Sequence, residues 1–441
     1  MFGQKKHFKI ILGITIAMLM ATSALAEQNL TLEKAIQIAL ENNKSIQSSK
    51  VNLESAKSRI IQARSGFLPR LGFNGTYTYW EKSQSMEIPA GVFGPEPVSM
   101  TLDFTSNYVA AFSLTQPLFT GGRIRQGYKI TELGLKSAQE DYKNQEQKVI
   151  FSVKKSFYDL LFTQNIVEVT QEALSLAQEH ARIIKVRYDA GEVSQFDLLR
   201  AEVEVANLNP QLIKAKNGVN LASLAFKNIL GINMEEEVSI DGKFQAEKFD
   251  QSVGQCLKTA LENRPEIAFL NYQKDIANRS VKLARANNLP SLSAVVDYQL
   301  LSQELFDHKK WQDTYSGMLV LSIPLFDGFY TRGKVKEARA ALQSAEIGEK
   351  QLKDGIELEV RQAYLELMEA NEIIISSQEN VKQAQKNVDI AEDQFAQGYV
   401  TSLDVMSSQL ALTTAKTNYI QALHDQVVAM AKIDQAMGTI K

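Results

Sequence analysis

The feature that most restricts this 441-residue chain is that it contains one unit twice. Ala39-Leu40-Glu41-Asn42 recurs as Ala260-Leu261-Glu262-Asn263, and Leu68-Pro69-x-Leu71 as Leu289-Pro290-x-Leu292, both 221 residues on. Pro117-Leu118-Phe119-x-Gly121 recurs as Pro324-Leu325-Phe326-x-Gly328, Gly191 as Gly398 and Gly231 as Gly438, all 207 residues on. A repeat of this length is a supersecondary unit used again. The offset changes once, by 14 residues, and the extra length belongs to Ser83 to Asp103, where Pro89, Gly91, Gly94, Pro95 and Pro97 mark an irregular loop. Its counterpart, about Ser302 to Gln312, is short.

Around each loop the residues alternate with period two, as strands with one apolar face do. Leu71, Phe73, Tyr77 and Tyr79 share a face opposite Asn74, Thr76 and Thr78; Tyr108, Ala110, Phe112 and Leu114 oppose Ala111, Ser113 and Thr115. In the second copy Leu292, Ala294, Val296, Tyr298 and Leu300 alternate with Ser293, Asp297 and Gln299, and Tyr315, Gly317, Leu319, Leu321 and Ile323 with Ser316 and Ser322. Each strand is about ten residues, the length that crosses a tilted bilayer. Both tryptophans, Trp80 and Trp311, stand at loop ends, where an interfacial aromatic belt places them. Four strands cannot hide their edges from lipid, so a barrel requires several copies of the chain. Alternation alone also fits two soluble hairpins packed on their aromatic faces.

Between strands lie long helical segments. Gly122 to Ala190 contains no proline and, at 1.5 Å per residue, reaches about 100 Å. Val153, Leu160, Val167, Leu174, Ala181 and Tyr188 recur every seven residues, with Ser156, Thr163, Thr170, Ala177 and Ile184 at the second seam position. The second copy gives Val360, Leu367, Ile374, Val381, Val388 and Phe395, with Ala363, Ala370, Ser377, Ala384 and Ala391. A strict heptad imposes a left-handed supercoil, and small seam residues allow close approach. Tyr128, Leu135, Tyr142 and Val149 follow a shifted frame, so Val149 to Val153 is a stutter, reproduced at Ile356 to Val360. A dimeric coiled-coil rod accounts for the heptads but leaves the hairpins unexplained.

Each long helix breaks at a glycine, Gly191 or Gly398, a residue suited to ending helices. Ser194 with Asp197, and Thr401 with Asp404, then fit the N-cap and third position of the next helix. Each copy is thus a helical hairpin whose turn lies far from its strands.

Lys5, Lys6 and Lys9, an apolar run from Ile10 to Met20 and Ala24-Leu25-Ala26 form the regions of a secretory signal peptide, residues 1–26, cleaved before Glu27. Removing three of the 48 Lys+Arg leaves an excess of acid over the remaining base, about −6 against 51 Asp+Glu, with no basic surplus for nucleic acid. No later segment is long and apolar enough for a spanning helix, so a membrane-crossing mature protein uses strands, as in the outer membrane of a diderm bacterium. Cys256 is the single cysteine, which excludes a disulfide framework and reads as a small core residue; no cysteine follows the cleavage site to carry lipid. His180, His308 and His424 lack metal-ligand spacing, and no metal or cofactor is expected. Gly121 to Gly127 has the wrong spacing for a phosphate loop and reads as a strand-to-helix turn.

These residues in order, Leu-Pro before the first strand, Pro-Leu-Phe with glycine after the second, and Arg187-Tyr188-x-x-Gly191-x-x-Ser194-x-x-Asp197 at the first tip, resemble the TolC family of outer-membrane efflux proteins. The resemblance covers essentially the whole mature chain. It implies a mainly α fold with membrane β: a homotrimer whose four strands per chain close a twelve-stranded outer-membrane barrel, continued by a periplasmic α-barrel of coiled-coil hairpins. It further implies that the tips meet a periplasmic adaptor (a membrane fusion protein) and an inner-membrane transporter. Residues 27–231 and 253–441 are then the two repeats, and 232–252 resembles the family's equatorial segment.

On this reading the chain is a passive conduit and not an enzyme, giving exit to whatever its inner-membrane partner delivers. A periplasmic adaptor also has helical hairpins and a signal, but lacks two amphipathic hairpins of barrel length. Arg187, Tyr188, Gly191, Ser194 and Asp197 at the first tip, and Gly398, Tyr399, Val400 and Thr401 at the second, are the expected docking residues. Gln394 departs from the pattern set by Arg187, and Ser407 stands where some relatives have a second carboxylate. Asp404 is a candidate for an entrance ring of three carboxylates; with Ser407 supplying no second acid nearby, its position at a capped helix start is by itself the better account of a carboxylate there.

Overall fold

The computed structural model describes residues 30–81, 84–92, 94–102, 106–245, 248–302 and 311–441. The expected signal peptide, the cleavage site before Glu27, His7, His308 and most of the short loop near Ser302 to Gln312 lie outside these residues.

The element order repeats as the sequence does. The first copy runs α1 (Leu32–Asn42), α2 (Lys44–Ser65), β1 (Arg70–Tyr79), β2 (Gln84–Ile88), β3 (Val98–Leu102), β4 (Ser106–Phe119), α3 (Arg123–Asp189) and α4 (Gln195–Leu230). The second runs α5 (Val253–Asn263), α6 (Pro265–Arg285), a 3-10 turn (Ala286–Asn288), β5 (Ser291–Ser302), β6 (Trp311–Ser322), α7 (Tyr330–Ala396) and α8 (Ser402–Met437). The correspondence extends to lengths: α3 and α7 each have 67 residues, α4 and α8 each 36. No described helix is long and apolar enough to cross a membrane.

Two compact units emerge. One comprises Glu140–Ala268, Lys350–Lys441 and the described residues up to Val51. Its interior is built from two equivalent cores. In the first, Ala39, Val149, Val153, Leu160, Phe226 and Leu230 pack together; in the second, Ala260, Ile356, Val360, Leu367, Ile433 and Met437 take the matching places, with Cys256 fully buried among them. The stutter residues Val149 and Ile356 belong to these cores. The shift of frame therefore marks where the long helices turn an extra face toward α1 and α5, not a defect in the seam. Gly242, in the segment between the copies, lies against Phe157, where a Cβ would stand 2.8 Å from the ring. Farther along, the heptad residues close the hairpins: Ala173, Leu174 and Ala177 against Leu208 and Leu212, and Ala384 and Val388 against Leu412 and Ala415.

The other unit, Asn52–Gln139 with Phe269–Glu349, holds a four-stranded antiparallel sheet in the order β1-β4-β5-β6. Its register aligns the expected apolar faces across all four strands. Phe73 pairs with Phe112, Phe112 with Tyr298 and Tyr298 with Tyr315, so one row of the sheet is wholly aromatic. Leu71, Leu114 and Val296 make the adjoining row, and Tyr77 and Tyr108 pair toward Trp311. Among the described residues this face has no cover: Phe73 is 60 % exposed, Leu319 71 % and Tyr315 86 %. Gly121 and Gly122, with φ of +59° and +83°, form the strand-to-helix turn after β4.

One expectation is corrected. The extra length of the first copy is not an irregular loop throughout, because β2 and β3 pair as a second, two-stranded sheet with Met86 opposite Met100. Met86 and Ile88 in the first segment, and Val98, Met100 and Leu102 in the second, alternate with polar residues, and the five glycines and prolines fall in the turn between them.

Candidate functional site

The two hairpin tips have the same construction. Beyond Asp189 the chain reverses through Gly191 at φ +80°, with the Gly191 N–H donating to the Tyr188 carbonyl and that of Glu192 to Arg187, each at 2.9 Å. Beyond Ala396 it reverses through Gly398 at φ +79°, with the Gly398 N–H on Phe395 at 3.1 Å and that of Tyr399 on Gln394 at 2.9 Å. These bonds satisfy carbonyls that a helix end leaves open, and they require a left-handed residue at the turn.

Each following helix starts with a capping box. Ser194 Oγ accepts from the Asp197 N–H at 3.2 Å while Asp197 accepts in return from Ser194. Thr401 Oγ1 accepts from Asp404 at 3.3 Å, and Asp404 Oδ2 accepts from the Thr401 N–H at 2.8 Å and its hydroxyl at 2.6 Å. The hydroxyl bond and then the backbone bond hold the Asp404 carboxyl below its ordinary range. Asp404 is fully engaged as a helix cap while remaining exposed, and Asp197 makes the matching cap in the first copy, half-buried.

Beneath the turns the two hairpins are joined by contacts the sequence does not advertise. Ile184, Ala201, Ala391, Phe395 and Val405 form a buried cluster shared by α3, α4, α7 and α8. The Arg187 guanidinium stacks on Phe395 at 4.5 Å and donates to the Phe395 and Ala396 carbonyls at 3.1 and 3.0 Å. A cation is favoured at the negative end of a helix, here the C-terminus of α7. His180 and Ser402, both buried, meet at 2.9 Å, and burial pushes the imidazole pKa down. Of the expected docking residues, Gly191, Ser194, Gly398, Tyr399 and Thr401 are exposed, Tyr188 is at the margin of exposure and Val400 is half-buried. Exposed Phe196 and Leu403 add apolar surface beside them.

A second link between hairpins lies at the other end of the same unit. His424 of α8 stands between Asp159 of α3, Nε2 to Oδ1 at 2.8 Å, and Asp425, Nδ1 to Oδ1 at 2.9 Å. Lys155 holds the other Asp159 oxygen at 2.7 Å. Two ionised carboxylates only accept, so both ring nitrogens must donate and the bound form is the imidazolium. Burial opposes that charge, but hydrogen bonds and charge from Asp159 and Asp425 outweigh it and raise the His424 pKa above 6.5. For Asp159, burial is likewise outweighed, by His424 and Lys155, and its pKa falls below 3.8.

The histidine's contribution to stability is therefore fully present below its unfolded pKa and lost as pH rises through the raised folded value. The aspartate's contribution is lost only as pH falls through the depressed value. His424→Gln is expected to cost about 1–2 kcal/mol at about pH 6 and markedly less at about pH 8.5, read by urea unfolding of the helices with circular dichroism. An equal loss at both pH values would assign His424 to packing alone.

Among the described residues no group of three or more His, Cys, Asp or Glu side chains converges as a metal centre does. Each tip exposes a capped turn, and the sheet exposes an apolar face. Over 408 residues the chain is 23% identical to the outer membrane efflux protein BepC of Brucella suis biovar 1, covering 92% of this chain and 85% of that protein. It is 21% identical to the outer membrane protein TolC of Escherichia coli, covering 99% and 87%. Its fold matches the Campylobacter jejuni CmeC outer membrane channel with a TM-score of 0.77 at 19% identity, covering 92% of this chain and 85% of that one. The family described as outer membrane efflux protein matches residues 35–232 and 256–439, the bulk of both copies, and the chain belongs to that family.

Proposed function

We propose that three copies of this outer-membrane efflux protein close a twelve-stranded barrel and that the assembly is a passive conduit catalysing nothing. The observation that carries this is the sheet: an apolar face exposed along four strands, with β1 and β6 as edges left unpaired among the described residues. In lipid an unpaired backbone edge costs several kcal/mol per group, so edges must be shared between copies. Residues 27–231 and 253–441 serve as the two repeats and 232–252 as the equatorial segment.

The exposed turns Asp189 to Ser194 and Gln397 to Thr401 dock a periplasmic adaptor, through which an inner-membrane transporter supplies energy and substrate. Asp404 contributes to a ring of three carboxylates at the entrance in addition to capping its helix; a lowered cation preference in Asp404→Ala but not Asp197→Ala is the expected signature. The assembly is tested by light scattering in detergent with the micelle mass subtracted, where three chains per particle are expected. One chain per particle, or release from outer membranes by a carbonate wash, would favour an adaptor or a coiled-coil rod instead.

A further inference from the structure

The sheet register assigns each described residue of β1, β4, β5 and β6 to one of two faces, and the face opposite the aromatic row is predominantly polar. Its middle row reads Gly72, Ser113, Asp297, Ser316. The row on one side is Asn74, Ala111, Gln299, Thr314, and on the other Arg70, Thr115, Val295, Met318. Among the described residues of that face, Asp297 and Arg70 alone carry charge. Arg70 is the first residue of β1, whereas Asp297 lies mid-strand in β5, which runs Ser291–Ser302. Asp313 pairs with Leu300 on the aromatic face, beside Trp311 at the loop end.

In a membrane barrel the apolar face meets lipid and the polar face lines the lumen. We infer that Asp297, repeated around the threefold axis, is a cation-selecting residue within the transmembrane lumen. This inference rests on the trimeric barrel reading above. Fixed carboxylates in a water-filled, low-dielectric tube raise the local concentration of cations and exclude anions. The side chains in its row are a hydrogen atom and two hydroxymethyl groups, so nothing there neutralises the charge or shields it from the lumen. Arg70 is one row lower and two strands across, about 12 Å away by strand spacing and beyond the screening length of about 8 Å at physiological salt.

The test is planar-bilayer recording of purified trimers in a KCl gradient. The cation-to-anion permeability ratio is expected to fall about twofold or more in D297N, and further in D297K, while R70Q moves it the other way. A cysteine at 297 (D297C) is expected to react with a cationic water-soluble thiol reagent and change conductance, whereas Y298C, one residue on and facing lipid, does not; native Cys256 is buried and provides no background. Open channels whose ratio is unchanged in both D297N and D297K overturn the inference and leave the conduit standing, as does labelling of Y298C but not D297C. Wild-type protein that forms no channel overturns the conduit and the selecting residue together.

Discussion

Replacing Gly231 with alanine is expected to remove folded trimer from the outer membrane almost completely. Gly231 ends α4 in the left-handed region, φ 74° and ψ 23°, and its N–H closes on the Lys227 carbonyl at 3.0 Å. The junction of α1 and α2 lies directly against it. A Cβ would stand 2.5 Å from the Asn42 carbonyl oxygen, 2.7 Å from its carbon and 3.1 Å from the Asn43 nitrogen, all backbone atoms that cannot rotate aside. Asn43 also donates to the Ile229 carbonyl at 2.7 Å, which pins the two segments together. A left-handed side chain costs about 1–2 kcal/mol. Overlap with fixed backbone adds about 1–3 kcal/mol more.

The sum is a large share of what a domain has to lose. Gly438 is the equivalent residue at the end of α8, at φ 72°, but there a Cβ would meet the Asn263 and Arg264 backbone at 3.1 Å rather than 2.5 Å. Gly438→Ala should therefore be the milder change. Gly254→Ala, where a Cβ meets nothing within 4 Å, should be neutral or slightly stabilising. Heat-resistant trimer on gels and urea midpoints rank the three; Gly231→Ala with a wild-type midpoint would remove close packing as the reason for glycine at that position.

The repeat offset by itself pairs Gly231 with Gly438 and so marks both as special, whereas the backbone that approaches each is set by tertiary packing and leaves no trace in the local sequence. The same division runs through the molecule. Period-two alternation locates the four sheet strands, and the register that brings Phe73, Phe112, Tyr298 and Tyr315 into one row follows from matching apolar faces, since a slip of one residue would turn each strand over. Heptads and glycine place both tips, and Ser194 and Thr401 cap as their spacing indicates. What stays hidden is non-local or weakly patterned. Arg187 with Phe395, His180 with Ser402 and Asp159 with His424 are more than 200 residues apart in sequence, and nothing local to either partner announces the other. The β2–β3 hairpin is masked by the glycines and prolines of its own turn. Arg187 illustrates the difference most directly: the sequence offers it as a docking residue, and the structure also gives it a role inside the chain, neutralising the end of α7.

Replacing Gly398 with isoleucine is expected to abolish export while trimer accumulates normally. A Cβ at Gly398 meets nothing within 4 Å, so no clash disturbs the buried Phe395 and Val405 below it. The cost is confined to the backbone, about 1–2 kcal/mol for a left-handed residue and most severe for a β-branched one. That cost is relieved by opening the turn, which breaks the Gly398 and Tyr399 N–H bonds to Phe395 and Gln394 and displaces exposed Tyr399 and Thr401. An adaptor that reads the turn loses its surface; a turn that only reverses the chain loses nothing that function needs. Gly191→Ile makes the same test at the first tip, where the Cβ is again unopposed. Asparagine tolerates the left-handed region, so Gly398→Asn should retain export and isolates backbone shape from side-chain size. In the source strain lacking its own copy of this chain, complementation by Gly398→Ile is expected to fall about tenfold or more, the factor that about 1.4 kcal/mol of lost docking energy produces. Full export by both isoleucine variants at normal trimer levels would exclude the turns as the docking surface, whereas loss of trimer would place the defect in folding.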